Sequence, residues 1–141
     1  LVDRCRIDGT GIGGANGLFA QGVGFASALN LSVRDSSIDG LRGAGIRVEK
    51  QDEGNASLTV ERSQIMRCGW VSNAAPDPRT DSGIVLRGTP RRAGTGYASP
   101  ITQLVLNLNA CEIAENRGHG VYYHHPWLGN DLQSPLLFGT N

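Results

Sequence analysis

The chain has 141 residues, with 13 basic and 13 acidic side chains and no formal net charge. This balance gives no overall field that would favour nucleic acid or an anionic membrane, so neither is expected as a partner. No apolar run reaches the roughly 18 residues of a membrane span, and no signal peptide opens the chain. The length fits one domain over residues 1–141. The first predicted strand includes Leu1 and Val2, which indicates an exposed or truncated amino terminus, and the sequence assigns no compartment.

Four copies of one pattern follow each other along the chain, at residues 2–20, 31–48, 58–86 and 106–123. Each copy has apolar residues two apart, a small residue, an isoleucine, a variable turn, and then glycine, an aliphatic residue and a further apolar residue. Such period-2 segments predict three short strands per copy, at residues 31–33, 36–38 and 45–48 in copy two. Self-similarity at this period is typical of a stacked solenoid.

Parallel stacking of the copies places equivalent residues above one another in columns. The predicted inner columns are Val2/Val33/Val60/Leu108, Cys5/Ser36/Ser63/Cys111, Ile7/Ile38/Ile65/Ile113 and Leu18/Ile46/Ile84/Val121. Two outer columns, Asp3/Arg34/Glu61 and Arg4/Asp35/Arg62, alternate in charge, so stacked neighbours attract in the same register. The sequence therefore predicts an all-β solenoid of about four coils with three short strands per coil.

The strand residues of copy three carry a resemblance to a known family. Leu58, Val60, Ser63 and Ile65, followed by residues 83–86 (Gly-Ile-Val-Leu), resemble the repeat of the right-handed parallel β-helix in the pectate-lyase-like superfamily. The resemblance implies a right-handed parallel β-helix. It leaves the activity open, because the superfamily includes lyases, hydrolases, epimerases, esterases and viral tailspikes. The family's enzymes usually have more coils, so the chain is expected to be a fragment, a minimal module or a protomer that stacks on another.

Copy three carries the two longest insertions, at residues 66–82 and 87–103, and both flank its third strand. Long loops on a rigid scaffold often bind ligands. The outward columns beside them, Phe19/Arg47/Val85/Tyr122 and Gln21/Glu49/Arg87/His124, mix aromatic and charged groups. Guanidinium groups bind carboxylates and aromatic rings present flat faces to sugars. We therefore expect binding of an acidic polysaccharide or oligosaccharide, with Arg47, Trp70, Arg79, Arg87, Arg91 and Tyr97 as the candidate binding residues.

Catalysis stays open at this point. A lyase or epimerase needs a base beside the uronate carboxylate and cations that hold the resulting charge. Arg87 would hold the carboxylate, and the candidate catalytic residues are His119, Tyr122, His124 and Asp81.

Hydrolysis is the less favoured chemistry. The segments 118–120 (Gly-His-Gly) and 80–84 (Thr-Asp-Ser-Gly-Ile) resemble polygalacturonase-type motifs, but the Asp-Asp pair of those enzymes is missing. Gly-x-Gly is also typical of a corner, where glycine supplies positive φ.

Metal and redox roles are not expected. The histidines do not converge as zinc ligands, and the acids are too sparse to support the calcium site of pectate lyases, so no cofactor is evident and calcium stays open without support from the residues. Cys5 and Cys111 occupy one column three rungs apart, too far for a disulfide, and the three cysteines are predicted to be small, buried and unpaired.

A structural function is the alternative to carbohydrate binding. The first coil has no evident polar cap, and uncovered coil ends present edge strands that pair with other chains. In this alternative the chain is an assembly module, tailspike-like or self-associating end to end through its exposed coil ends, without catalysis.

Overall fold

The computed structural model describes residues 1–9, 16–22, 28–51, 55–70, 77, 80–89 and 103–124. These ranges contain twelve strands, three in each of four coils. The strands are β1 (Val2–Asp3), β2 (Arg6–Asp8) and β3 (Leu18–Gly22) in coil one; β4 (Leu29–Arg34), β5 (Ser37–Asp39) and β6 (Ile46–Gln51) in coil two; β7 (Asn55–Glu61), β8 (Gln64–Met66) and β9 (Ile84–Thr89) in coil three; and β10 (Gln103–Asn109), β11 (Glu112–Ala114) and β12 (Val121–His124) in coil four. Within the same ranges, no helix is long and apolar enough to cross a bilayer.

The strands form three parallel sheets that run along the coil axis. Sheet A contains the first strand of every coil (β1, β4, β7, β10), sheet B the second (β2, β5, β8, β11) and sheet C the third (β3, β6, β9, β12). Every pairing between successive coils is parallel. This architecture confirms the predicted parallel β-helix of four coils with three strands each.

The core lies between the three sheets and follows the predicted inner columns. Val2 pairs with Val33, Val33 with Val60, and Val60 with Leu108, and the isoleucine column keeps the same order. Most aliphatic residues of coils two and three have almost no exposed surface, with Leu29 and Leu31 as partly buried exceptions, whereas those of coils one and four, apart from Leu104, are only partly buried. Full burial of one such side chain contributes about 1.5–3 kcal/mol. The middle coils therefore supply most of the stabilisation by apolar burial.

A tight corner joins the first and second strands of each coil. Its first residue, which is Arg4, Asp35, Arg62 or Ala110, has a left-handed backbone with φ between 44° and 50°. A residue with a Cβ atom pays about 1–2 kcal/mol for this conformation. In the first three coils the N–H of the corner residue donates to a carbonyl of the next coil, with N–O distances of 2.9–3.1 Å to Arg34, Glu61 and Asn109. These bonds offset the strain and connect each corner to the next coil.

The second residue of this corner forms the column of small residues. The Ser36 hydroxyl accepts from the Cys5 N–H at 3.1 Å and donates to the Arg34 carbonyl at 2.6 Å. The Ser63 hydroxyl does the same one coil further on, with the Ser36 N–H at 3.0 Å and the Glu61 carbonyl at 2.7 Å. A buried polar group costs little when both its donor and its acceptor are satisfied, as they are here.

Only one of the three free cysteines is fully buried, so the predicted burial is partly wrong. Cys5 is exposed and Cys111 half-buried, because they occupy the terminal coils and no further coil in the described ranges covers them. Cys68 has no exposed surface, and burial raises the pKa of its thiol to about 11. The Cys68 thiol therefore stays protonated at neutral pH.

In coils one to three the glycine that precedes the third strand is required for close packing, not for the predicted positive φ, whereas a Cβ atom on Gly120 of coil four would meet only ordinary contacts at 3.5 Å or more. Among the described glycines, only Gly40 and Gly69 have positive φ. A Cβ atom on Gly45 would lie 2.8 Å from the Gly83 carbonyl oxygen, and one on Gly83 would lie 2.9 Å from that of Gly120. Stacked coils approach each other too closely here for any side chain.

The predicted charge columns hold between coils two and three. Arg34 lies 3.1 Å from the Glu61 carboxylate, and Arg62 binds both oxygens of Asp35 at 2.7 Å. The hydrogen bond from Arg62 lowers the pKa of the Asp35 carboxyl. In coil one, Arg4 contacts Asp3 of its own coil at 3.5 Å. Exposed pairs of this kind stabilise weakly, so their main effect is on register.

Ala110→Gly tests the strain at the corner. Glycine adopts left-handed φ without the Cβ penalty, so we expect the free energy of unfolding to rise by up to about 1 kcal/mol. The matched control is Ala114→Gly in strand β11, which should lower it by roughly 0.5–1 kcal/mol. Urea titrations of both variants provide the measurement. Destabilisation of the Ala110 variant to the same extent as the control would contradict a left-handed corner.

Candidate functional site

The outer face of sheet C brings the predicted site columns together. The register places Phe19 beside Arg47, Arg47 beside Val85, and Val85 beside Tyr122. The neighbouring column runs Gln21, Glu49, Arg87, His124 in the same way. Both columns have the order predicted from the repeat. Parallel stacking is what converts residues far apart in sequence into a continuous surface.

An ion cluster occupies the middle of this face, with two guanidinium groups around one carboxylate. The Arg47 Nε donates to Glu49 Oε1 at 2.9 Å, and a second nitrogen of Arg47 contacts the same oxygen. Arg87 approaches that oxygen at 3.6 Å from the next coil. The Gln21 amide lies 3.5 Å from the other oxygen of Glu49. Two cations and one anion leave an excess of one positive charge.

Burial differs within the cluster and determines which groups a ligand can reach. The Glu49 side chain is only 8% exposed, whereas the side chains of Arg47 and Arg87 are 22% and 33% exposed. The Arg87 Nε is buried and has no hydrogen-bond partner among the described residues. The carboxylate is thus internal to the cluster, and the accessible parts of the cluster are the guanidinium groups.

Aromatic residues extend the face on both sides of the cluster. The guanidinium of Arg47 lies over the Phe19 ring, 5.6 Å from its centroid, while half of the Phe19 surface remains exposed. Tyr122 is half-buried in coil four. Val85, between Arg47 and Tyr122, has no exposed surface although strand alternation points it away from the core, so the outer face is covered at this position. The accessible aromatic surface is therefore at its coil-one and coil-four ends.

Asp81 lies at the opposite end of sheet C, inside the corner that leads into β9. Its carboxylate accepts from the Asp77 N–H at 2.9 Å and from the Thr80 hydroxyl at 2.8 Å, and Arg117 lies 3.9 Å away. Its carbonyl accepts from the Gly118 N–H at 2.8 Å. Asp81 is 4% exposed. The Asp81 carboxylate therefore stabilises the corner through these hydrogen bonds and has almost no access to the surface.

His119 and Trp70 are exposed, but neither lies at the ion cluster. The His119 N–H donates to the Ser82 hydroxyl at 3.2 Å, which fixes His119 beside the start of β9. The Trp70 N–H donates to the Leu41 carbonyl at 3.4 Å. His119 precedes His124 by five residues, or about 16 Å of extended strand. Of the candidate catalytic residues, Tyr122 and His124 share a strand beside Arg87, while Asp81 and His119 lie at the far end.

Three candidate binding residues, Arg79, Arg91 and Tyr97, lie outside the described residues. His124 is placed by its backbone register with Arg87 alone. Among the residues that the structure describes, no group of three or more histidine, cysteine or acidic side chains is arranged to hold a metal ion.

Three residues of the outer face of sheet C and of the Asp81 corner were not among the predicted site residues. Glu49 connects Arg47 to Arg87, Phe19 supplies the exposed ring, and Arg117 pairs with Asp81. The column alignment carried a signal for Glu49 and Phe19, because it stacks each of them directly against a predicted binding arginine. Arg117 had no such signal, since its partner lies in an irregular corner.

Glu49→Gln tests whether the cluster is held by its central carboxylate. Removing the charge leaves two partly buried guanidinium groups without their anion, so we expect a loss of about 1–3 kcal/mol in unfolding free energy. The matched control is Glu61→Gln, which removes a more exposed carboxylate paired to Arg34 and should cost less than about 1 kcal/mol. Equal losses for the two variants, measured by urea unfolding, would contradict a special role for Glu49.

Comparison with protein family models, with curated proteins and with solved structures finds no match to this chain.

Proposed function

We propose that the chain is a β-helix module of the pectate-lyase-like type that binds an acidic polysaccharide on the outer face of sheet C. The observation that carries this proposal is the ion cluster, in which Arg47 and Arg87 share one buried carboxylate and keep a net positive charge at the surface. A uronate carboxylate offers the complementary anion for these guanidinium groups.

The geometry of the face supports a polymer over a compact anion. The Phe19 ring lies next to Arg47 and Tyr122 lies two rungs further along the same column. Aromatic rings at such positions can pack against the apolar faces of sugar rings, while the arginines between them contact the carboxylates. A uronate chain at the coil-one and coil-two end of the face would meet the Phe19 ring and the Arg47 guanidinium in turn, while buried Val85 separates this end of the column from Tyr122.

Binding is the core of the proposal, and lyase or epimerase chemistry is an extension of it. A proton-transfer step beside the bound carboxylate would use Tyr122 or His124, because these candidates share β12, next to Arg87. Asp81 and His119 would have no part in such a step, since they lie at the other end of the sheet.

The second candidate function is assembly, and the burial of coils one and four favours it. Among the described residues, the aliphatic columns that are sealed in coils two and three are only partly buried in coils one and four. A module of this kind would associate through its ends, without catalysis.

Arg87→Ala tests the carbohydrate site. We expect at least a tenfold loss of affinity for polygalacturonate oligomers in calorimetric titration, because one of the two carboxylate-binding groups is gone. The matched control is Arg34→Ala on sheet A, which also removes one positive charge and one pair with a glutamate and should bind like the parent.

A neutral dextrin completes the comparison and should show no binding. Equal affinities of the Arg87 and Arg34 variants, or equal binding of the neutral polymer, would contradict the proposal. Ultraviolet absorbance of an unsaturated uronate product in the same samples would show lyase activity in addition to binding.

A further inference from the structure

The two arginines of the ion cluster hold Glu49 with unequal strength. The Arg47 Nε donates to Glu49 Oε1 at 2.9 Å, and a second nitrogen of Arg47 contacts the same oxygen. A terminal nitrogen of Arg87 lies 3.6 Å from that oxygen, which is beyond ordinary hydrogen-bond distance. Glu49 therefore binds Arg47 through two charge-assisted contacts, whereas its attraction to Arg87 acts at longer range.

Arg87 also has hydrogen-bonding capacity that the cluster leaves unused. Its Nε is buried and has no hydrogen-bond partner among the described residues. A buried donor without an acceptor costs free energy, which a new acceptor recovers. The Arg87 side chain is also more exposed than that of Arg47. Of the two guanidinium groups, that of Arg87 is thus the more accessible and the less satisfied.

The cluster lies on the two middle strands of sheet C, each of which is paired on both sides. Strand β6, which carries Arg47 and Glu49, lies between β3 and β9, and β9, which carries Arg87, lies between β6 and β12. Glu49 itself stacks between Gln21 and Arg87. Because the backbone of both strands is fixed by these pairings, a change on ligand binding is confined to the side chains.

Glu49 orders the cluster but also opposes an anionic ligand. A carboxylate that binds the two guanidinium groups comes close to the Glu49 carboxylate, because Glu49 already contacts both of them. Like charges repel strongly at short range where water is partly excluded. The ligand gains most at Arg87, since the long contact of Arg87 with Glu49 can be exchanged for a closer one.

We propose that Glu49 and the carboxylate of the ligand compete for Arg87, so that Arg87 transfers to the ligand while Arg47 keeps its bonds to Glu49. Glu49 is then a positioning residue that lowers the affinity for anions, and Arg87 is the residue that distinguishes carboxylated from neutral sugars. This inference rests on the proposed function, because it concerns a uronate bound to the outer face of sheet C.

Glu49→Gln separates the charge of this side chain from its shape. The amide oxygen of glutamine still accepts from Arg47, so the guanidinium keeps its orientation while the competing charge is removed. We expect the affinity for polygalacturonate oligomers to rise about threefold or more in calorimetric titration, even though the variant unfolds more easily. A merely structural role for Glu49 predicts unchanged or weaker binding.

Two control variants isolate the competing charge. Glu49→Asp keeps the negative charge and should bind no more tightly than the parent. Glu61→Gln removes one negative charge from sheet A, where Glu61 pairs with Arg34, and should bind like the parent. A rise in affinity for Glu61→Gln equal to that for Glu49→Gln would overturn the competition, because net charge alone would then account for the effect.

Nuclear magnetic resonance of the arginine side chains provides a second readout, in the parent protein. When polygalacturonate oligomers are added, the Nε–H signal of Arg87 should shift more than that of Arg47, because Arg87 alone changes its partner. Loss of a signal in Arg87→Ala identifies the Arg87 resonance. A larger shift for Arg47 than for Arg87 would overturn the proposed transfer, whether or not Glu49→Gln folds.

Failure of this inference and failure of the proposed function give different results. If the parent binds polygalacturonate and Arg87→Ala binds at least tenfold more weakly, but Glu49→Gln gains no affinity, the competition is wrong and the carbohydrate site stands. If neither the parent nor Glu49→Gln binds the polymer, both proposals are wrong.

Discussion

The structure depends on one constraint, the parallel stacking of equivalent residues at every corner. The corner between the first and second strands bends through a left-handed residue, and its N–H reaches the carbonyl of the next coil. The adjacent serine hydroxyls repeat the same connection inside the corner. A slip of one residue would break both sets of bonds and turn the aliphatic side chains outward. Register and core are therefore fixed together.

The same stacking creates the candidate site. Glu49 and Arg87 come from different coils and meet because their strands are in register. The cluster is rigid for two reasons: its carboxylate is buried, and it lies on strands whose other face is the core. A binding surface built on such strands needs little ordering when a ligand arrives, which reduces the entropic cost of binding.

Much of the fold could be predicted from the sequence because residues that stack on one another occupy equivalent positions in the repeat. The isoleucine column and the two outer columns of sheet C follow from aligning four short patterns. The sequence could not show why glycine is needed at positions 45 and 83. A close approach between coils and a positive φ both favour glycine, so the pattern alone does not distinguish them. Local pattern also gave no sign that Lys50, next to Glu49, is completely buried, with Gly22 and Gly88 as its register neighbours. The columns of residues that form the site could be predicted, but the side-chain contacts within and between those columns could not. Whether Arg47 points at a ligand or at Glu49 depends on side-chain geometry.

The most direct measurement of the central claim is disulfide scanning of the register in a background without the native cysteines. Ser37→Cys with Gln64→Cys joins neighbours on adjacent rungs of sheet B, about 4.8 Å apart, and should oxidise readily to an intramolecular disulfide. Ser37→Cys with Met66→Cys is two residues out of register, with Cα atoms about 8 Å apart, and should not. Efficient cross-linking of the second pair, or failure of the first, would contradict the stacked coil described here.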